Sequence, residues 1–201
     1  MLRCILLVAN ELKLFSLASP LASMSYRKID INYCYIGPSE LEKFTTAQDL
    51  TGWAKTVILT QIAQTYGKVH EDYYAEAAEL DAVARGFEKH QGEHFDVLCD
   101  WSTPLPPYKD ARPVFDTSPI ATIPMPDKSV GRYSFNGFRC SARNAAIIRL
   151  ALEIEQTNIQ IFMSKAFTWY YARYWHLYLP QLASVDQRCI KADLSVPDSP
   201  A

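Results

Sequence analysis

The 201-residue sequence has little glycine, no closely spaced cysteines and almost no net charge. Only 7 glycines are present, and none belongs to a GxSxG elbow or a glycine-rich phosphate loop, so no standard nucleophile or nucleotide motif is found. The five cysteines are odd in number and lack a CxxC pair, which argues against a disulfide framework and a cysteine-based structural zinc site. A formal net charge of −2 provides no general attraction to nucleic acid or anionic membranes.

Long apolar runs are missing as well. The apolar run at residues 4–9 is interrupted by Asn10 and Glu11 before it reaches the length of a good secretory core. We therefore expect residues 1–23 to be a leader or an extension outside the core. The spread of the cysteines suits a reducing compartment, which predicts an intracellular, cytoplasmic protein.

An aromatic stretch at residues 162–180 is the nearest approach to a membrane segment. Lys165, Arg173 and His176 interrupt it, and four of its eight Phe, Trp and Tyr residues are tyrosines, so a membrane span is not expected. If the stretch is helical, Lys165, Trp169 and Arg173 share one side. That side is either a stacking surface for bases or planar ligands, or part of an ordinary core helix.

Two amphipathic helices are predicted in the first half of the chain. Ser39 and Glu42 have capping-box spacing, which predicts that a helix begins there. It either continues or restarts at Thr45 or Thr46, because apolar residues then recur at three- and four-residue steps up to Gly67. A second helix is expected from about His70 to Glu88, and the short link at Gly67 predicts an antiparallel pair. The predicted core-facing residues of the second helix are Tyr73, Ala77, Leu80, Ala84 and Phe87.

Three strand segments are predicted from alternation and turn chemistry. Alternating apolar and polar residues indicate strands at 28–35 and 94–101. In the first strand, one face is expected to carry Ile29, Ile31, Tyr33 and Tyr35. Asn136-Gly137 between aromatic flanks is typical of a type I′ turn and predicts a β-hairpin over 132–140.

The distribution of proline residues predicts the organisation of the rest of the chain. Seven prolines lie in residues 104–126, so the connection at 102–128 is expected to be an extended surface segment or a lid. Ser141 is a predicted helix cap, followed by one long helix over about 142–179 or two helices broken near 157–158. Together these elements predict a helix-dominated α+β fold with a small, mainly antiparallel sheet. We expect a single domain at 24–180 and a loose tail at 181–201.

One short stretch has the spacing of a metal site. His90, Glu93 and His94 spell HxxEH; on a helix, the histidines could bind zinc while Glu93 activates water. The pattern resembles the inverted zincin signature. Because Gly92 lies inside the motif and a strand is predicted after it, the alternative is a pair of surface histidines at a helix-to-strand turn. The candidates for a third zinc ligand are Glu153, Glu155, His70 and His176.

Charge is unevenly distributed along the chain. Residues 70–100 contain nine acidic and two basic residues, whereas residues 132–175 contain six basic and two acidic ones. Either the two segments face each other and neutralise, or the basic segment binds an acidic partner or nucleic acid. The candidate binding residues are Arg132, Arg139, Arg143, Lys165, Trp169 and Arg173.

The leading functional hypothesis is a non-catalytic intracellular interaction protein. It would bind a protein or another macromolecule through the proline-rich connection and the basic, aromatic C-terminal half. Two alternatives stay open: a nucleic-acid-binding protein that uses the arginine-bearing segment around Asn136-Gly137, and a zinc-dependent hydrolase that uses HxxEH at 90–94. A cofactor, zinc, is expected only under the last alternative.

Overall fold

The computed structural model describes residues 26–87, 91–109 and 111–179. Within these ranges the fold is helix-dominated α+β, as predicted. The helices are α1 Pro38–Thr51, α2 Lys55–Val69, α3 Glu71–Arg85, α4 Gln91–Cys99, α5 Ala142–Ile154 and α6 Ile159–Tyr174. The strands are β1 Tyr26–Ile29, β2 Tyr33–Tyr35, β3 Arg132–Ser134 and β4 Phe138–Ser141, and 3-10 turns lie at Lys128–Val130 and Trp175–Leu177.

The chain divides into two compact units, and the larger one is Ser25–Arg173. The described part of the other unit is residues 174–179, where the rings of Trp175 and Tyr178 stack with centroids 5.4 Å apart. The predicted leader at 1–23 and the predicted tail at 181–201 lie outside the described residues. The fold and the sites below belong to the larger unit.

The four strands form one interrupted antiparallel ribbon. Strand β1 pairs with β4, with Tyr26 opposite Ser141, and β2 pairs with β3, with Tyr35 opposite Arg132. Both pairs keep the same register, and the Phe135 amide donates to the Asn32 carbonyl at 3.0 Å between them. The small antiparallel sheet that the sequence predicts is therefore built from segments about a hundred residues apart.

The predicted hairpin over 132–140 is wrong. Strands β3 and β4 pair with β2 and β1, not with each other. Gly137 has a φ of 90°, but Asn136 does not have the positive φ that a type I′ turn requires. A Cβ atom on Gly137 would lie 2.8 Å from the Ile29 carbonyl oxygen. The glycine thus permits close approach of β1 rather than a tight turn.

The predicted strand at 28–35 is also wrong in its middle. The structure has two strands separated by residues 30–32. The alternation shifts by one residue there, and the buried residues are Ile29, Ile31, Cys34 and Ile36. Tyr33 and Tyr35, expected beside Ile29 in the core, lie half-buried on the solvent side.

Residues 94–101 contain no strand, because residues 91–99 form helix α4. The buried positions in this segment are His94, Leu98 and Cys99. Their spacing of four and five residues fits one face of a helix. Phe95, which the alternation placed in the core, is 38% exposed. Four alternating apolar residues were too short a pattern to distinguish a strand from a helix.

Helices α1 and α2 are separate, and their ends differ from the prediction. Gly52, with a φ of 67°, ends α1. The capping box is not formed, because Gly37 occupies the cap position and Pro38 begins the helix. Gly67 lies inside α2, where a Cβ atom would collide with the Asn144 side chain. The turn between α2 and α3 is at His70 instead.

The C-terminal helices follow the second predicted alternative, two helices broken near 157–158. Ser141 caps α5 as expected, since its hydroxyl accepts a hydrogen bond from the Asn144 amide at 3.3 Å. The core-helix interpretation of the aromatic stretch is confirmed for its described residues within α6. The buried residues of α6 are Ile159, Phe162, Met163, Ser164, Ala166, Phe167, Tyr170 and Tyr171.

Residues 100–127, which include all but the last residue of the predicted connection at 102–128, are called the strap here. Its described residues contain turns and bends but no helix or strand, as predicted. The Lys109 amide donates to the Ala84 carbonyl at 2.9 Å, and the Tyr73 hydroxyl donates to the Asp116 carbonyl at 2.7 Å. Ile120 is buried. The strap is therefore fastened to the helices at these positions.

Candidate functional site

A buried carboxylate, Asp81, is the centre of the main polar cluster. Its side chain is 0% exposed. One carboxylate oxygen, Oδ2, accepts a hydrogen bond from Arg85 Nε at 2.9 Å and lies 2.9 Å from His94 Nε2. The other oxygen, Oδ1, accepts from the Tyr108 hydroxyl at 2.8 Å. Three elements, α3, α4 and the strap, are thus joined through one carboxylate.

Arg85 extends this cluster to α5. Its guanidinium donates to Glu153 Oε1 at 3.0 Å and to the Pro106 carbonyl. It also lies over the Tyr108 ring, 4.1 Å from the centroid. The side chain is 2% exposed, so this charge is buried but paired with two carboxylates.

The electrostatics of the cluster favour the charged forms of Asp81 and Arg85. Burial alone would raise the pKa of Asp81, but hydrogen bonds from His94, Arg85 and Tyr108 outweigh it and hold that pKa below its ordinary value. Burial alone would lower the pKa of Arg85, but its bonds to Asp81 and Glu153 raise it. Burial and the bond to Asp81 raise the pKa of Tyr108 to about 12. The cluster is an ion-pair network, and Tyr108 is its neutral donor.

Two further arginines fasten the strap to the helices. Arg149 on α5 donates to the carbonyls of Val97, Asp100 and Thr103, and burial lowers its pKa. Arg112 in the strap donates to the carbonyl of Ile154 at 2.7 Å. That carbonyl is at the C-terminal end of α5, where a cation is favoured.

A cavity of about 480 Å³ opens beside this network, between the strap and α5. Its wall combines two arginines and a glutamate with proline and leucine side chains. The lining residues are Arg85, Leu105, Pro106, Pro107, Tyr108, Arg149, Leu152, Glu153 and Thr157. Of the candidate residues predicted from the sequence, only Glu153 lies here, and it pairs with Arg85 instead of binding zinc.

The described residues of the HxxEH motif differ in burial. Glu93 is exposed in the first turn of α4, whereas His94 is buried and bonded to Asp81. His94 is therefore not a surface histidine at a strand start, as the alternative predicted. His90 lies outside the described residues. Among the described residues, no three His, Cys, Asp or Glu side chains are placed to hold a metal ion.

The predicted stacking side of α6 faces neighbouring protein groups. Lys165 Nζ donates to the Ile120 carbonyl in the strap at 3.1 Å. The half-buried Trp169 ring packs on Tyr66, with centroids 5.3 Å apart. Arg173 alone of the three is exposed. Lys165 and Trp169 thus support the core, and the structure does not present these three residues as one open surface.

Contacts of Arg143 and Arg149 show that parts of the acidic segment, 70–100, and of the basic segment, 132–175, face each other. Arg143 forms an ion pair with Glu71 at the solvent-exposed start of α3. Arg149 contacts the carbonyls at the end of the acidic segment. The charge polarity of the sequence is therefore partly compensated within the fold.

Two of the candidate binding residues, Arg132 and Arg139, lie on the solvent side of the ribbon. We call this surface the basic face; its residues are Lys28, Tyr33, Tyr35, Lys128, Arg132 and Arg139. The Arg132 guanidinium lies 4.6 Å from the Tyr33 ring centroid. Its hydrogen bond to Tyr35 lowers the pKa of that phenol. Lys28 lies directly opposite Arg139 in the β1–β4 pair.

No family model, curated protein or solved structure matches this chain. Within the described residues, no helix combines the length and apolar character needed to cross a membrane. Any function is therefore inferred from the geometry of the chain itself.

The polar residues that matter most were missed by sequence reasoning. Asp81, Arg85 and Arg149 belong to no motif in the sequence and were not among its candidate residues. One signal was available: Asp81 and Arg85 are four residues apart on a predicted helix, which is the spacing of an ion pair. Their burial depends on the strap, which pattern analysis does not place.

Proposed function

We propose that the protein is a non-catalytic interaction protein whose basic face binds an acidic macromolecular partner. The observation that carries this proposal is the environment of Arg132. Its side chain is exposed, and its contacts among the described residues are the phenols of Tyr33 and Tyr35. Its charge is not neutralised by a carboxylate of the described chain and is open to a partner.

The arrangement of cations along the ribbon supports a large partner. Like charges directly opposite each other destabilise an antiparallel pair, yet Lys28 faces Arg139. Asp30 lies 2.5 Å from Lys28, but both side chains are exposed and the pair contributes little. Residues 26–35 extend roughly 30 Å at strand geometry, which suits a macromolecule better than a small ligand.

The environment of the buried cluster supports the non-catalytic part of the proposal. Asp81, His94 and Arg85 are the side chains that most resemble a catalytic set, but they are bonded to one another and to the strap. An intracellular, cytoplasmic location belongs to the same proposal. The free, buried thiols of Cys34, Cys99 and Cys140 support it.

A protein partner with an acidic surface is the first candidate, and a nucleic acid is the second. Tyr33 and Tyr35 favour the second candidate, because aromatic rings beside an arginine are a common stacking surface for bases. The strap retains its predicted role as an additional contact. Its Val114 side chain is 94% exposed.

The proposal is tested by the binding of two polyanions, poly-glutamate and a single-stranded oligo-uridine, measured by fluorescence anisotropy at low and moderate salt. We expect the wild-type chain to bind at least one of them, with affinity that falls as salt rises. The double charge reversal Lys128→Glu with Arg132→Glu should weaken binding about tenfold or more.

Lys68→Glu with Arg173→Glu is the matched control, because it also reverses two exposed charges, on α2 and α6 and not on the basic face. It should change affinity by less than about twofold. Equal losses in both variants, or no binding of either polyanion at low salt, would reject the basic face as the site. Binding of oligo-uridine alone, with a loss in Tyr33→Ala, would select the nucleic-acid candidate.

A further inference from the structure

We propose that the cavity between the strap and α5 binds a small organic anion, a carboxylate with a short hydrocarbon chain. This site is independent of the basic face and of the macromolecular partner. Its volume of about 480 Å³ falls in the range of small-molecule pockets.

The two arginines of the cavity wall have donors to spare. A guanidinium has five N–H donors. The hydrogen bonds of Arg85 to described residues use three of them, and those of Arg149 also use three. Both side chains line the cavity, so their remaining donors can serve a carboxylate there.

The charge balance makes Arg149 the anion-binding residue. Glu153, the one carboxylate among the lining residues, pairs with Arg85 at 3.0 Å. The hydrogen-bond partners of Arg149 are backbone carbonyls, which carry no net charge. Burial lowers the pKa of Arg149 by more than the nearby carboxylates of Asp100 and Glu153 raise it, so its positive charge is only partly compensated. A carboxylate bound in the cavity would add to that compensation.

The apolar part of the wall sets the form of the ligand. Leu105, Pro107 and Leu152 line the same cavity. A hydrocarbon chain lying against them would leave water, which increases affinity with each added methylene. Because the ligand would contact residues of both the strap and α5, its binding should also hold the strap against the helices.

The probes are acetate, propionate and butyrate, titrated into the full chain at constant ionic strength and followed by amide chemical shifts in NMR spectra. We expect shifts centred on the strap and α5, with dissociation constants on the order of 1 mM for butyrate. Each methylene should strengthen binding by up to about fourfold. Amide hydrogen exchange of Lys109, which bonds to Ala84, should become slower when butyrate binds.

Two variants and their controls localise the site. Thr157→Glu adds a negative charge to the cavity wall and should weaken butyrate binding on the order of tenfold. Thr45→Glu adds the same charge to the exposed surface of α1 and should have little effect. Leu152→Trp should fill the cavity and abolish binding, whereas Leu80→Trp, at a half-exposed leucine on α3, should not.

The proposal is overturned if none of the three carboxylates shifts the amides of the lining residues. It is also overturned if affinity does not increase with chain length, or if Thr157→Glu and Thr45→Glu behave alike. None of these results bears on the basic face, whose test uses different ligands and different variants.

Discussion

The Asp81 side chain connects three other side chains through its carboxylate. Its carboxylate accepts hydrogen bonds from Arg85 and Tyr108 and bonds His94, and its side chain is 0% exposed. A buried ion pair of this kind adds little net stability over an apolar replacement of both partners, but loss of one partner leaves the other charge buried and uncompensated. The buried charges are therefore paired only when the strap lies in its observed position against the helices.

Asp81→Asn should lower the free energy of unfolding by about 3–5 kcal/mol, because it leaves the Arg85 charge without its closest carboxylate. Urea denaturation monitored by circular dichroism measures this loss. Asp96→Asn, at an exposed aspartate on α4, is the control and should change stability by less than about 0.5 kcal/mol. A loss below about 1 kcal/mol in Asp81→Asn would contradict the network.

His70 is the second residue whose environment has a measurable consequence. It lies between α2 and α3, and its ring packs on Tyr66 with centroids 4.7 Å apart. Burial and the nearby Arg173 lower its pKa from the ordinary 6.5. Its Nε2 atom is buried without a hydrogen-bond partner among the described residues. The folded protein thus favours neutral His70.

Because the folded-state pKa of His70 is lowered, the unfolded chain binds more protons below pH 6.5. The stabilising contribution is present above that pH and is lost as the pH falls toward the folded-state pKa. We expect His70→Phe, which keeps an aromatic ring, to lose less stability than the wild type between about pH 7.5 and pH 5.5. The readout is the urea midpoint, with exposed His176→Phe as the control. Identical pH dependence in wild type and His70→Phe would be the contrary result.

At the scale of elements, the interrupted ribbon depends on one glycine. Gly137 has a positive φ of 90° and lies so close to the Ile29 carbonyl that a side chain would collide with it. Gly92 offers a natural comparison, because it lies in α4 with open space around the position of a Cβ atom. Replacement of these two glycines by alanine should therefore affect stability differently.

Gly137→Ala should destabilise the protein by about 1–3 kcal/mol, through both strain at positive φ and the collision with β1. Gly92→Ala should be neutral or stabilising by up to about 1 kcal/mol, because alanine is the better helix former. Thermal unfolding of both variants checks the pair. If Gly137→Ala were as stable as Gly92→Ala, that result would contradict the inference that the close approach of β1 requires glycine at position 137.

The elements also show how far pattern analysis reaches. The Ser141 cap and the irregular strap follow from local signals and were predicted correctly. The break between α5 and α6 was one of two alternatives that local signals left open. The hairpin and the strand at 94–101 were not, because Asn-Gly and a short alternation each fit more than one structure. Strand partners are chosen by packing at long range, which a local pattern does not encode.

At the scale of the whole larger unit, a set of phenylalanines connects distant segments. The Phe44 ring on α1 lies 5.5 Å from Phe167 on α6 and 6.0 Å from Phe135 in the ribbon. Phe135 and Phe167 are 5.8 Å apart. One aromatic cluster thus joins the beginning, the middle and the end of the fold.

Phe167→Ala should reduce the free energy of unfolding by about 3–5 kcal/mol, since the removed ring is 0% exposed and would leave a cavity. Near- and far-ultraviolet circular dichroism should report the same lower midpoint, because the cluster joins all three segments. Leu80→Ala, at a leucine that is 50% exposed, should cost far less. Separate transitions for the two signals would show that the segments unfold independently.

The amino-acid sequence by itself determined the helix-dominated class and the irregular, proline-rich strap. These features depend on local propensity and periodicity, which act within a few residues. Only the tertiary structure decided that residues 26–35 pair with 132–141, that residues 91–99 are helical, and that the aromatic stretch lies in the core. It also decided that Asp81 and Arg85 are buried beneath the strap and that Arg149 is half-buried there. Each of these depends on contacts between segments far apart in the chain, where packing and the pairing of buried charge outweigh local preference.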